Sequence, residues 1–293
     1  MKKSVINGLI GIVIMASVFS CREQIGDRPV ETKPSGPRII SLSGMLTEVL
    51  YDLGYGPDIV GVDATSTFPG SVTDIPNLGH ISRLNAEGIL SVKPDIIFLE
   101  SAQGLPDPVK QAKNAGVKVI SIPATHYLNN AVTAAAVIAQ ELQTDPGLLK
   151  NLALTVSNDS LRLNQALMGM AFSPKVLFIY ARGAGRLMAA GKNTPAAAII
   201  EKAGGQNAIH SFEDYRALTP ESLVEAAPDI ILMFETGLAS LDGEEGLRQI
   251  PGIAQTPAFK NGKIIAMDGQ YLTAFGPRAA KAATELALKL RGE

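Results

Sequence analysis

The chain is 293 residues long and 46% hydrophobic, and its 26 basic and 28 acidic residues leave a net charge of −2. That length can bury an ample core as one large or two medium domains. A near-neutral balance without long runs of one sign gives no electrostatic case for binding nucleic acid or an anionic membrane surface. The single cysteine, Cys21, leaves no disulfide within the chain.

The amino-terminal segment has the pattern of a targeting signal. Lys2 and Lys3 precede an apolar stretch from Val5 to Phe19, too short for a typical spanning helix, and small Ser20 leads to Cys21. The order Val18-Phe19-Ser20-Cys21 resembles a bacterial lipobox. Residues 1–21 are therefore expected to be a lipoprotein signal peptide and Cys21 to carry the lipid. The mature protein is then expected in the periplasm or cell envelope, anchored to a membrane through Cys21. Residues 22–36, REQIGDRPVETKPSG, are polar with two prolines and no apolar face, which suits a flexible tether.

From Pro37 onward, short β-branched runs alternate with helical patterns. Strands are expected at 38–42, 59–63, 95–100 and 117–122. Helices are expected at 45–54, 86–93 and 108–116, closed by Gly54, Pro94 and Gly116. Residues 146–172 hold a long apolar-periodic stretch without an internal proline, expected as one linking helix. Further strands at 175–180 and 262–268 and a helix at 195–205 follow.

The skeleton of NAEGILSVKPDIIFLE (85–100) returns as TPESLVEAAPDIILMF (219–234), an offset of 134 residues. Glu87 recurs as Glu221, Leu90 as Val224, and Pro94-Asp95 as Pro228-Asp229, so two similar lobes are expected. The fold class is α/β, with lobes over 37–145 and 173–293, each a mostly parallel sheet covered by helices. A connector of this kind hinges little and leaves a preformed cleft.

Enzyme signatures are missing. The first strand is followed by SLSGMLTE rather than a G-x-G-x-x-G turn. GRLMAAGKN (185–193) has five residues between its glycines, and Asn193 where a P-loop needs Ser or Thr. There is no H-E-x-x-H, no G-x-S-x-G and no Cys/His cluster, and the three histidines lie at 80, 126 and 210. No catalytic constellation can be named.

Residues 38–293 resemble the substrate-binding proteins of ABC importers for iron chelates and cobalamin, most closely the haem-binding ones. The resemblance rests on SLSGMLTEVLYDLG, VGVDATSTFP, LGHISRLNAEGILSVKPDIIFLE, ARGAGRLMAAGKNTPAAAIIEKAGGQNA, LTPESLVEAAPDIILMF and FGPRAAKA. It implies two Rossmann-like lobes joined by one long helix, the class III periplasmic-binding-protein architecture. It further implies a ligand such as haem carried between the lobes as cargo, not as a catalytic cofactor, and delivery to an ABC permease and its ATPase. A monomer is expected, and Glu87 and Glu221 correspond to the glutamates that dock on permease arginines. Cobalamin or a ferric siderophore is the alternative cargo. An envelope enzyme acting on a metal chelate is the alternative of a different class.

Where the haem-binding relatives usually have an iron-ligating tyrosine, this chain has Phe68, which offers no donor atom. His80 in LGHISRL is the leading replacement as metal ligand, since neutral imidazole is a good axial donor. An exposed loop histidine is the competing reading. His126 and His210 are the other imidazoles, each equally readable as structural. Arg83 and Arg186 are candidates for the propionates, to which a guanidinium pairs bidentately. Tyr180, Met188, Tyr271 and Phe275 are candidates for an apolar wall against a flat macrocycle, with core packing the competing reading for each. The segment FGPR (275–278) opens the last helix, where backbone NH groups could meet an anionic ligand.

Overall fold

The computed structural model describes residues 36–101, 104–170 and 172–293; the signal peptide, Cys21 and all of the tether but Gly36 lie outside them. The amino-terminal lobe comprises β1 (Ile39–Leu42), α1 (Gly44–Asp52), β2 (Ile59–Val62), α2 (Ala86–Ser91), β3 (Ile96–Glu100), α3 (Asp107–Asn114) and β4 (Lys118–Ile122). Helices α4 (Asn130–Leu142) and α5 (Pro146–Leu167) follow. The carboxy-terminal lobe begins with β5 (Lys175–Ala181), β6 (Leu187–Ala190), α6 (Pro195–Lys202), β7 (Gln206–Asn207) and β8 (Tyr215–Ala217). It continues through α7 (Pro220–Ala226), β9 (Ile230–Phe234), α8 (Glu235–Ala239), α9 (Glu244–Arg248), α10 (Pro257–Lys260) and β10 (Ile264–Met267), ending with α11 (Gly269–Thr273) and α12 (Ala279–Arg291).

The first sheet has the order β2-β1-β3-β4 and is wholly parallel. Alternation along its strands fills two cores: Ile39, Ile96 and Phe98 enter one, while Ile40, Leu42, Ile97 and Leu99 enter the other. The second sheet repeats this, with Val176, Phe178 and Leu232 on one face and Leu177, Ile179, Ile231 and Met233 on the other. Apolar residues buried on both faces are what a helix-covered parallel sheet requires. Truncating Phe98 or Phe178, both wholly buried, to alanine would cost about 3–5 kcal/mol.

The second sheet has the order β10-β9-β5-β6-β8, with β7 also against β5. It keeps the expected parallel core of β10, β9, β5 and β7, to which β6 and β8 add an antiparallel extension, β6 against β5 and β8 against β6. The cause is the tight turn after β5, where Arg186 N donates to the Gly183 carbonyl and Gly183 takes φ +72, so the chain folds straight back. Leu187-Met188-Ala189-Ala190 contains no β-branched residue, so its sequence gives no strand signal.

The internal repeat holds in detail. Helices α2 and α7 and strands β3 and β9 start at the same 134-residue offset, and Lys93 and Ala227 share a left-handed backbone at φ 47 and φ 35. The Pro-Asp pair does more than end a helix. Asp95 Oδ2 accepts from Arg38 N at 2.8 Å while Asp95 N donates to Arg38 O at 2.8 Å. Asp229 makes the same pair of bonds to Lys175, each 2.9 Å. Each aspartate thus staples the start of its lobe's central strand.

Helix α5 is the spine. Asp145 caps it, with Oδ1 accepting from Gly147 N at 2.8 Å, and Pro146 occupies its first turn. Leu152 and Val156 enter the amino-terminal core and Leu163 the carboxy-terminal core, so one helix face belongs to both lobes. The helix stops at Leu167, short of the expected 172, where Gly169 turns with φ +81. Its 22 residues span about 33 Å, and α12 packs along it.

Candidate functional site

Open α/β sheets present binding residues at the carboxy-terminal ends of their strands. On the amino-terminal side, the loop after β2 carries Phe68, 42% exposed. Its neighbour is the segment before His80, where Ala64 N donates to Gly79 O at 3.0 Å. His80 is exposed and opens a 3₁₀ turn, Ile81–Arg83, that also carries exposed Arg83. The His80 Nδ1 lies 2.9 Å from Ser82 Oγ and 3.3 Å from Ser82 N. Nδ1 is the acceptor of the Ser82 N–H that caps this turn, so the neutral ring carries its proton on Nε2, and a metal at Nε2 would require that proton to move to Nδ1 at the expense of the cap.

Beneath these residues is a polar floor. Asp63 accepts from Thr65 Oγ1 at 2.7 Å and Ser66 Oγ at 2.8 Å, and the Thr47 hydroxyl lies 2.8 Å from those of Ser41 and Ser66. Glu100, at the end of β3, accepts from Ser43 Oγ and from Asn130 Nδ2. Burial raises its carboxyl above the ordinary value and the Asp63 charge adds to this, while those two hydrogen bonds oppose the rise.

On the carboxy-terminal side, Tyr180 near the end of β5 packs against Tyr215 and Phe234, with ring centroids 6.2 and 5.9 Å away. Met188 is its cross-strand partner on β6. The Arg182 guanidinium lies 5.4 Å from the Tyr180 ring centroid. Arg182 lies in the bend just past β5, and the sequence singles out Arg186 rather than Arg182 in this segment. Arg186 is exposed in the turn before β6. Burial pushes the Tyr215 hydroxyl up to about 12, which keeps it a neutral phenol rather than an anionic donor.

One predicted wall residue sits elsewhere than expected. Phe275 is 2% exposed, takes φ +53 and belongs to the carboxy-terminal core, where its ring stacks 5.3 Å from His126. Burial, followed by the Lys202 charge, lowers the His126 pKa below the ordinary value. Tyr271 buries its hydroxyl without a hydrogen-bond partner, and burial with the nearby Glu285 charge pushes that phenol up to about 12. Phe275 is thus core, while Tyr271 is half-buried with the Arg278 guanidinium 5.0 Å from its ring centroid. His210 is exposed and belongs to none of these groupings.

The two sides are joined by Gln270 and Glu48, which the sequence did not mark, and by the side chain of Arg278 from the FGPR segment. Arg278, at the start of α12, donates from Nε and Nη2 to Glu48 of α1, both at 2.7 Å. Its guanidinium lies 3.7 Å over the Phe68 ring. Gln270 of α11 bonds Glu48, Gly44 and the backbone of Thr67 and Phe68. Among the described residues no group of three or more His, Cys, Asp or Glu converges to hold a metal ion, so a resident metal centre has no donor set there. A recess at the edge strand β10, lined by Lys263, Ile265, Lys289 and Glu293, holds none of the predicted site residues.

Glu87 and Glu221 occupy the same second position of α2 and α7 and are exposed. Asn85 caps one helix, with Oδ1 accepting from Gly88 N at 2.6 Å; Thr219 caps the other through Ser222 N at 3.2 Å. Backbone NH at its own residue and the Thr219 hydroxyl hold the Glu221 carboxyl below the ordinary value. Leu90 and Val224 follow one turn later, 38% and 78% exposed.

Among known proteins, the model of the family described as Periplasmic binding protein matches residues 39–271. A solved structure of the periplasmic heme-binding protein RhuT from Roseiflexus sp. RS-1 in apo form superposes with a TM-score of 0.83 at 35% identity, covering 88% of this chain and 98% of that one. An uncharacterized ABC transporter substrate-binding lipoprotein, YvrC, of Bacillus subtilis is 23% identical over 280 residues, 90% of this chain and 83% of the relative. A vitamin B12-binding protein of Salmonella choleraesuis is 28% identical over 187 residues, 64% of this chain and 66% of the relative.

Proposed function

This chain belongs to the periplasmic binding protein family, and on that footing we propose that it captures haem between its lobes and hands it to the permease of an ABC importer. The coarser part needs no proposal: it is the substrate-binding component of an ABC importer, and its family consists of solute-binding proteins, not enzymes. The observation that carries the haem reading is the 35% identity over 88% of the chain to a heme-binding protein of the same fold.

In this reading Tyr180, Met188 and Phe68 bury the macrocycle, and His80 Nε2 approaches the iron. Arg83 and Arg186 pair with the propionates, joined by Arg182. Tyr271 and Phe275 support these surfaces from the core. Glu87 and Glu221 dock on the permease, Cys21 holds the lipid anchor, and the protein works as a monomer.

A corrinoid is the second reading, favoured by Phe68 lacking a donor and by the likeness to a vitamin B12-binding protein. A visible spectrum of the protein mixed with hemin separates the readings. A Soret band that shifts on His80→Ala supports the proposed ligand. A band unchanged by His80→Ala moves the iron to another donor. The absence of any band turns the search to corrinoids.

A further inference from the structure

The Gln270 side chain is 8% exposed and spans the two lobes with both ends of its amide. Its Oε1 accepts from Thr67 N at 2.5 Å, Thr67 Oγ1 at 2.9 Å and Phe68 N at 3.0 Å. Its Nε2 donates to Gly44 O at 2.9 Å and to Glu48 Oε1 at 2.8 Å. Donors alone surround one end and acceptors alone the other, so the orientation of the amide is fixed by its neighbours.

Space for this side chain is also built in. A Cβ on Gly44 would stand 2.9 Å from Gln270 Cδ and 2.7 Å from Thr65 O, so only glycine lets the amide approach. Glu48, which takes one of these bonds, is held by Arg278, and Arg278 covers Phe68. One network therefore runs from α11 and α12 to the loop that carries Phe68. Within its own lobe the loop is tied through Thr65 and Ser66 to Gly44, Thr47 and Asp63, whereas the backbone NH groups of Thr67 and Phe68 are taken by Gln270.

We propose that Gln270 is a positioning residue for cargo capture: it fixes the Thr65–Pro69 loop of one lobe to the other, so that Phe68 presents one surface to whatever enters. The proposal rests on the binding reading above, but not on the cargo being haem. Gln270 acts through the loop, without touching the ligand. The acceptor end alone does not suffice, because the donor end holds the amide against Glu48 and Gly44.

The chain has no tryptophan, so Phe68→Trp supplies a single fluorophore on the loop, measurable without ligand. An indole in that place keeps the stack with Arg278. In the full folded protein the emission anisotropy is expected to be high. Adding Gln270→Met or Gln270→Glu at pH 8 should lower it and introduce a fast component. In Gln270→Glu, acidification to pH 5 protonates the new carboxyl beside Glu48, restores a donor and recovers the anisotropy; Gln270→Met does not recover.

Gly44→Ala gives an independent route to the same loss. Hemin release from Gln270→Met should be about tenfold faster, the effect of one lost hydrogen bond to a charged group. Variants that keep the parent's anisotropy while melting cooperatively overturn the proposal. Lowered anisotropy in a protein that never binds hemin sustains the positioning role and removes the haem reading.

Discussion

Arg278 and Phe68, from opposite lobes, are stacked with the guanidinium 3.7 Å from the ring, and the same guanidinium makes two 2.7 Å hydrogen bonds to Glu48. The Glu48 side chain is 5% exposed and that of Arg278 26%, so the pair is largely shielded from water. Removing one member of a shielded pair leaves an uncompensated charge. Arg278→Met should therefore destabilise the protein by about 3 kcal/mol in urea unfolding. The double variant with Glu48→Gln should recover part of that loss. Arg278→Lys keeps the charge but loses the bidentate fork and the stack, so it falls between the two.

The aspartate staples predict matched effects in the two lobes. Asp95→Ala and Asp229→Ala each remove a carboxylate that accepts from the first residues of a central strand. Each should cost about 1–2 kcal/mol of unfolding free energy, and the two should add, because the sites lie in separate lobes. Chemical denaturation of the single and double variants measures both statements.

His126 makes stability depend on pH. Its folded pKa lies below the ordinary histidine value of 6.5, so between those two points the unfolded chain binds more protons than the folded one. Its contribution is fully present above pH 6.5 and is lost as pH falls through the window beneath it. His126→Gln should flatten the melting temperature across pH 6.5 to 5. Glu100 works in the opposite sense: its folded pKa is raised, so its ionisation weakens the fold as pH rises above the ordinary carboxyl value of 4.5.

The docking role proposed for Glu87 and Glu221 can be tested apart from cargo binding. Glu87→Arg and Glu221→Arg place a cation on the exposed first turns of α2 and α7. Hemin affinity should stay within about twofold of the parent, while import through the permease falls at least tenfold, as opposite charges across a contact turn into like ones. Equal loss of both activities would show that these glutamates belong to the cargo site.

Much of the architecture was legible because it is carried by local patterns. Pro94-Asp95 and Pro228-Asp229 exposed the repeat, and alternating apolar strands exposed the two sheets. The β6–β8 extension was not legible, since Leu187-Met188-Ala189-Ala190 lacks strand-forming side chains and depends on the Gly183 turn. In the candidate site, Tyr180 lies near the end of β5 as the strand pattern suggested, but Phe275 was taken for a cleft wall where it is core. Its left-handed backbone turns it inward, and no sequence pattern marks that. Gln270 and Glu48 escaped because their roles depend on partners more than 200 residues away.

A calorimetric titration of the same preparation with hemin, iron-free protoporphyrin and cyanocobalamin tests the central claim most directly. The account predicts saturable hemin binding about tenfold tighter than that of the iron-free ring, the difference being the histidine–iron bond, and no heat with cyanocobalamin. Saturable binding of cyanocobalamin with none for hemin would contradict it.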